Sequence, residues 1–180
     1  MNAAQRKFLA YVIECKPKSV EDLRPAYHPR FMDEGAFRKA FDVRLGCYKS
    51  LGLVIKFPAG TDGATRAESL AHAQDEVTAL GRINNETHLL ALKRYMPEVL
   101  YFDATNGVTV MPKYEKVPWT MMFGGFVNTF ECMLADLMPE MRYEFDSGNA
   151  NFGLTAKKEY VVLDLGLIGA VNLSVLKRKR

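Results

Sequence analysis

The stretch Ala36–Phe57, AFRKAFDVRLGCYKSLGLVIKF, decides how the chain folds. In its first ten residues Phe37, Lys39, Phe41, Val43 and Leu45 fall on one face of an extended segment, and Ala36, Arg38, Ala40, Asp42 and Arg44 on the other. That is the two-residue period of a strand. GLVIKF, Gly52–Phe57, follows and is continuously apolar up to Lys56, which reads as a second strand. Two antiparallel strands joined between Gly46 and Gly52 are predicted.

Downstream, FPAGTDGATR is rich in Gly, Pro and Asp and reads as a loop. Between Ala67 and Ile83 the residues Leu70, Ala73, Val77 and Leu80 recur at spacings of three and four, which predicts an amphipathic helix. A further helical piece, Thr87–Tyr95, precedes Pro97. EVLYFDATNGVTVMPKY, residues 98–114, is a predicted hairpin because two β-prone runs flank Asn106-Gly107, a strong short-range hairpin signal. VNTFECMLADLM reads as a buried helix and YVVLDLG as a last strand. Upstream, Phe8, Leu9, Val12 and Ile13 mark a helix over Ala3–Cys15 that Pro17 stops, and a short helix starts at Ser19 and breaks before Pro25. The order of elements is that of an α+β chain with an antiparallel sheet and one long helix crossing it.

With 180 residues, nearly half of them apolar, the chain is long enough for one domain with a core or for two small lobes. The 24 basic and 21 acidic residues are intermixed, which does not point to nucleic acid. The tail Lys177-Arg178-Lys179-Arg180 is the dense basic cluster; it reads as a solvated terminus, and contact with nucleic acid is expected only through it. Cys15, Cys47 and Cys132 are far apart, and His28, His72 and His88 lack ligand spacing. Free thiols in a reducing compartment and no structural zinc are expected. No stretch approaches eighteen uncharged apolar residues, so the expectation is a cytoplasmic protein that does not span a membrane.

Five polar residues stand in places where chemistry could be carried. Lys56 closes the apolar strand LVIK, where the ordinary reading is a snorkelling surface lysine. Glu76 lies at the edge of the apolar helix face, where a solvated boundary glutamate is ordinary. A strand lysine and a glutamate on the helix over that sheet could meet as an ion pair. Near the C-terminus, Asn151 and Asp164 flank a hairpin and could hold a hard cation that takes one or two protein ligands plus phosphate oxygens. Asp146 stands five positions before Asn151. Taken singly, Asp146, Asn151 and Asp164 each read as an Asx-turn or loop residue.

Together, VIK, a helical glutamate twenty residues on, Asp-x-x-x-x-Asn, and Asp-Leu-Gly after a hairpin resemble the signature set of the protein-kinase-like superfamily. The steps from Lys56 to Glu76, 20 residues, and from Asn151 to Asp164, 13 residues, are similar to those of kinases. DEGAFRKAF resembles a worn glycine-rich loop, with Gly35 at the middle glycine, Phe37 at the aromatic tip, and Asp33 and Arg38 in place of the outer glycines. TVMPKY falls where a kinase hinge would lie, so Met111 resembles a gatekeeper, and Pro112 to Tyr114, with Lys113 between them, resemble the adenine-facing linker.

The resemblance implies a minimal kinase-like fold. Residues 1–30 would be a helical appendage, 31–114 an antiparallel N-lobe, and 115–180 a much reduced C-lobe. It implies ATP and Mg2+ as cofactors, Lys56 paired with Glu76 and holding the α/β-phosphates, Asp164 and Asn151 on Mg2+, and Asp146 as the base for a substrate hydroxyl. A second register would take Glu144 and Asn149 instead of Asp146 and Asn151. Glu144-Phe145-Asp146 stands where His-Arg-Asp is usual, and fourteen residues follow Gly166, without an activation segment or peptide platform. The chain is similar in this to the compact kinase-like proteins of tailed bacteriophages. The activity implied is a serine/threonine protein kinase, self-phosphorylation included, acting on a protein substrate. The alternatives are a pseudokinase that binds and inhibits a host or regulatory protein, and a small-molecule phosphotransferase.

Overall fold

Residues 1–34, 37–46, 49–59, 65–118, 124–138 and 151–163 are described by the computed structural model, which is α+β with antiparallel sheets. The chain divides into two units, Met1–Gln74 with Glu98–Lys113, and Asp75–Pro97 with Tyr114–Arg180.

The first unit holds helix α1 (Ala3–Cys15), strands β1 (Arg30–Glu34), β2 (Arg38–Leu45) and β3 (Lys49–Pro58), the opening turns of helix α2 (Arg66–Asn85), and strands β4 (Tyr101–Asp103) and β5 (Val108–Pro112). The five strands pair antiparallel in the order β1-β2-β3-β5-β4. Phe41 lies opposite Ile55, which lies opposite Val110; Ala40 lies opposite Lys56, which lies opposite Thr109. Directly opposed residues share a face, so each face of the sheet is fixed by this register. Val43, Leu53, Ile55, Phe57, Val108 and Val110 form one face and are buried with Phe8, Tyr11 and Val12 of α1.

Helix α1 is well bounded. Asn2 caps it in a reciprocal box, its Oδ1 accepting from the Gln5 N–H while Gln5 Oε1 accepts from the Asn2 N–H. Lys16 ends it in a left-handed conformation, φ 46°, with its N–H on the Val12 carbonyl. The Gln5 amide also donates to the Leu51 carbonyl at 2.9 Å, which ties the helix to β3. The helix expected over Ala3–Cys15 thus supplies Phe8, Tyr11 and Val12 to the core of this unit. The short helix expected from Ser19 is a 3-10 turn over Val20–Asp22, closed by the Asp22 carboxylate accepting from the Lys18 and Ser19 N–H groups.

Several elements differ from the sequence reading. Strand β1 carries no alternation, because it is an edge strand exposed on most of its length; backbone pairing with β2 and an edge-on contact of Phe31 with Phe41 hold it. Strand β3 runs to Pro58, so Lys56 lies inside the strand and does not close it. The helical piece Thr87–Tyr95 is a 3-10 turn over Thr87–Leu89 and a single turn, α3 (Leu90–Lys93). The 98–114 hairpin is present, but its connection is four residues long. The Asp103 carboxylate collects the N–H groups of Thr105 and Asn106 and the Asn106 side-chain amide. This replaces the two-residue Asn-Gly turn, and of that pair only Gly107 has positive φ, +67°.

The second unit holds the rest of α2, α3, β6 (Glu115–Lys116), α4 (Gly124–Leu137), β7 (Phe152–Leu154) and β8 (Tyr160–Val162). Strands β6-β7-β8 form a three-stranded antiparallel sheet. Helix α4 buries Val127, Phe130 and Leu134 at helical spacing. Phe126 of α4 stacks on Tyr160 with ring centroids 4.5 Å apart and meets Tyr95 and Phe152 edge-on, joining helix and sheet through aromatic contacts.

Candidate functional site

Lys56 stands on β3, third of the five strands and the middle one of the sheet, and is 9% exposed. The register puts it between Ala40 on β2 and Thr109 on β5. Burial at this level is uncommon for an ammonium, because desolvation penalises the charge unless polar groups surround it. Its face of the sheet is accordingly polar. Arg38, 5% exposed, shares the face, and its Nη2 donates to the Gly107 carbonyl and to Thr109 Oγ1.

The same face carries a second polar group around Asp42, which is 1% exposed. Its Oδ2 accepts from Arg44 Nε at 3.1 Å and lies 3.0 Å from Lys113 Nζ. Its Oδ1 accepts from Ser50 Oγ, which in turn accepts from the Gly52 N–H. Burial pushes the Asp42 carboxyl up, but the hydrogen bonds from Ser50, Lys113 and Arg44 outweigh it and hold the group below its ordinary value. Lys113 is therefore fixed at both ends, since its own N–H donates to the Gly52 carbonyl at 2.9 Å.

Helix α2 buries Ser69, His72, Ala73, Glu76, Leu80 and Ile83. Of the stripe expected between Ala67 and Ile83, Ala73 and Leu80 are buried and Leu70 and Val77 half-buried. The buried stripe is turned toward Ser69, His72 and Glu76, and Glu76, 2% exposed, stands inside it instead of at its edge. At the start of the helix Ser69 Oγ donates to the Ala59 carbonyl, and the His72 ring stacks on Phe37 at 4.6 Å and 12°.

Of the hinge-like residues, Met111 is buried on β5 opposite Val54, and Tyr114 is half-buried in the second unit. A Cβ at Gly153 would come within 2.7 Å of the Tyr114 Cβ, so the backbone of β7 passes close under that side chain. Asn151 immediately precedes β7, and its carbonyl accepts from the Leu163 N–H at 2.8 Å. Asn151 and Leu163 thus close the open end of the β7–β8 hairpin. Gly35, Glu144, Asp146, Asn149 and Asp164 lie outside the described residues.

Among the described residues no three His, Cys, Asp or Glu side chains gather in a way that would hold a metal ion. Cys15 and Cys132 are exposed free thiols, and among the described residues no helix is long and apolar enough to cross a membrane. No protein-family model matches the sequence, and no curated protein matches it.

Arg38, Asp42 and His72 were not singled out as candidates by the sequence pattern. One signal was present: in Leu53–Phe57 every residue except Lys56 is apolar, so both faces of β3 are covered, and charges on the neighbouring strand then have to be buried and partnered.

Proposed function

We propose that this chain is an ATP- and Mg2+-dependent phosphotransferase of protein-kinase-like fold that moves the γ-phosphoryl group to a serine or threonine hydroxyl of a protein. The observation that carries the reading is the burial of two residues of opposite charge type at the positions that resemble the lysine and glutamate of kinases. Lys56 lies on the third strand of a five-stranded antiparallel sheet, and Glu76 on the long helix that follows it. A lysine and a glutamate this deeply buried cost stability relative to apolar residues of the same size, which favours a role in chemistry for the lysine.

The chemistry of Lys56 and Asn151 suits these cofactors. Phosphate oxygens need a cation in a site of low dielectric, and Lys56 is a buried ammonium. Mg2+ takes one or two protein oxygen ligands and completes its shell with phosphate and water. Asn151 would supply one such ligand, and Asp164 follows directly on Leu163, whose N–H is bonded to the Asn151 carbonyl. When bound, MgATP supplies the phosphoryl donor and its leaving group. Asp146 would accept the proton of the attacking hydroxyl, and Lys56 would hold the phosphates.

One observation favours a second reading, a pseudokinase that engages a host or regulatory protein. The position resembling the third loop glycine is Arg38, whose guanidinium is committed to Gly107 and Thr109. Thermal unfolding of the full chain tests nucleotide binding, which the first reading requires. MgATP at ~100 times its Kd is expected to stabilise by about 2.7 kcal/mol, and ATP alone or Mg2+ alone to do much less. No stabilisation by MgATP would contradict the phosphotransferase.

A further inference from the structure

Three contacts close a ring at the beginning of β2. The Phe37 carbonyl accepts from the Ala59 N–H at 2.9 Å, and the Ala59 carbonyl accepts from Ser69 Oγ on α2. One turn along the helix, His72, 8% exposed, returns to Phe37 through a near-parallel ring stack. Three elements remote in sequence, the residue before β2, the residue after β3 and the first turns of α2, are thereby fixed to one another. Within this ring the stack is the side-chain contact that acts on Phe37 itself. The backbone bond from Ala59 extends the pairing of β2 with β3 by one residue, beyond Arg38 opposite Pro58.

We infer that His72 is a positioning residue: stacked on Phe37, it ties the entry to β2 to the first turns of helix α2. Under the phosphotransferase reading, on which this consequence rests, Phe37 is the aromatic tip of the segment covering the phosphates and α2 is the helix that carries Glu76. The stack then couples the position of the phosphate cover to the position of that helix. The chemistry of the pair suits such a tie, because an aromatic stack is broken and remade while the interior pairs of the sheet stay closed, so that the terminal Ala59–Phe37 bond follows it.

The Ala59 amide is the reporter, since its N–H is the one that reaches the Phe37 carbonyl. Amide exchange followed by NMR on the full chain is expected to be about tenfold faster at Ala59 in His72→Ala and in Phe37→Ala, and close to wild type in His72→Phe, which keeps the stack. Phe37→Ala changes a half-buried side chain, so the test survives if His72→Ala does not fold. Unchanged Ala59 exchange in both alanine variants would overturn the tie. Calorimetry with MgATP on the same proteins reads the coupling: affinity about fivefold weaker in His72→Ala and restored in His72→Phe supports it, and equal affinity in all three overturns it. A wild-type chain that binds no MgATP would overturn the phosphotransferase reading instead, with the Ala59 exchange still deciding the tie.

Discussion

The carboxylate of Asp42 on β2 reaches past β3 to the ammonium of Lys113 just beyond β5, 3.0 Å away. The contact closes the end of the sheet where the chain leaves β5, and it pins three strands with one buried acid.

Replacing Asp42 by Asn should therefore cost about 1–3 kcal/mol at pH 7, because the bonds from Arg44, Lys113 and Ser50 lose a charged acceptor. The dependence on pH follows from the direction of the shift. The folded carboxyl is held low, so the unfolded chain binds more protons, and stability rises with pH across the interval between the two values. The Asp42 contribution is fully present above the unfolded value near ~3.9 and is lost as the pH falls through the folded value. Urea unfolding of wild type and Asp42→Asn between pH 7 and pH 3 checks this: the gap in midpoint should narrow on acidification, at unchanged m.

Gly107 should tolerate no side chain. Its φ is +67°, and a Cβ would lie 2.7 Å from Pro58 Cγ and 2.9 Å from Leu70 Cδ1, so strain and collision add. Gly107→Ala is expected to destabilise by roughly 2–3 kcal/mol. Asn106→Ala, which loses the amide bond to Asp103 but keeps ordinary backbone angles, should cost about 1 kcal/mol. Equal losses in the two variants, measured by denaturant midpoint, would mean that the turn is held differently.

Helix α1 should be indispensable to the sheet it covers. Phe8 is fully buried against β3 and β5 residues, and Phe8→Ala is expected to cost about 3–5 kcal/mol. Deletion of Met1–Cys15 would expose the apolar face formed by Val43, Leu53, Ile55 and Val110. The shortened chain should lose its cooperative transition and bind a hydrophobic dye. A well-folded, monomeric product would show that α1 is peripheral.

Local periodicity made much of this architecture legible, and its limits are physical. The helix over Ala3–Cys15, the β2–β3 pair, α2 and the 98–114 hairpin each follow from a pattern spanning a few residues. Strand β1 gave no pattern because an edge strand with both faces largely in solvent has no need of one. The burial of Asp42 escaped because its partner Lys113 is 71 residues away, 113 less 42, and no local period carries a contact of that length. Lys56 and Glu76 were legible as positions. Their depth was not, since one depends on a strand that continues to Pro58 and the other on which stripe of α2 is covered.

Transfer of labelled γ-phosphate from ATP, by wild type and by Lys56→Met, is the measurement that bears most directly on the phosphotransferase reading. Methionine fills the place of a buried lysine with an apolar chain of similar length, so the variant is expected to remain folded. The account predicts Mg2+-dependent incorporation into the protein itself or an added protein substrate by wild type, and a loss of about a hundredfold or more in Lys56→Met. Incorporation by both proteins at the same rate, or by neither, would contradict it.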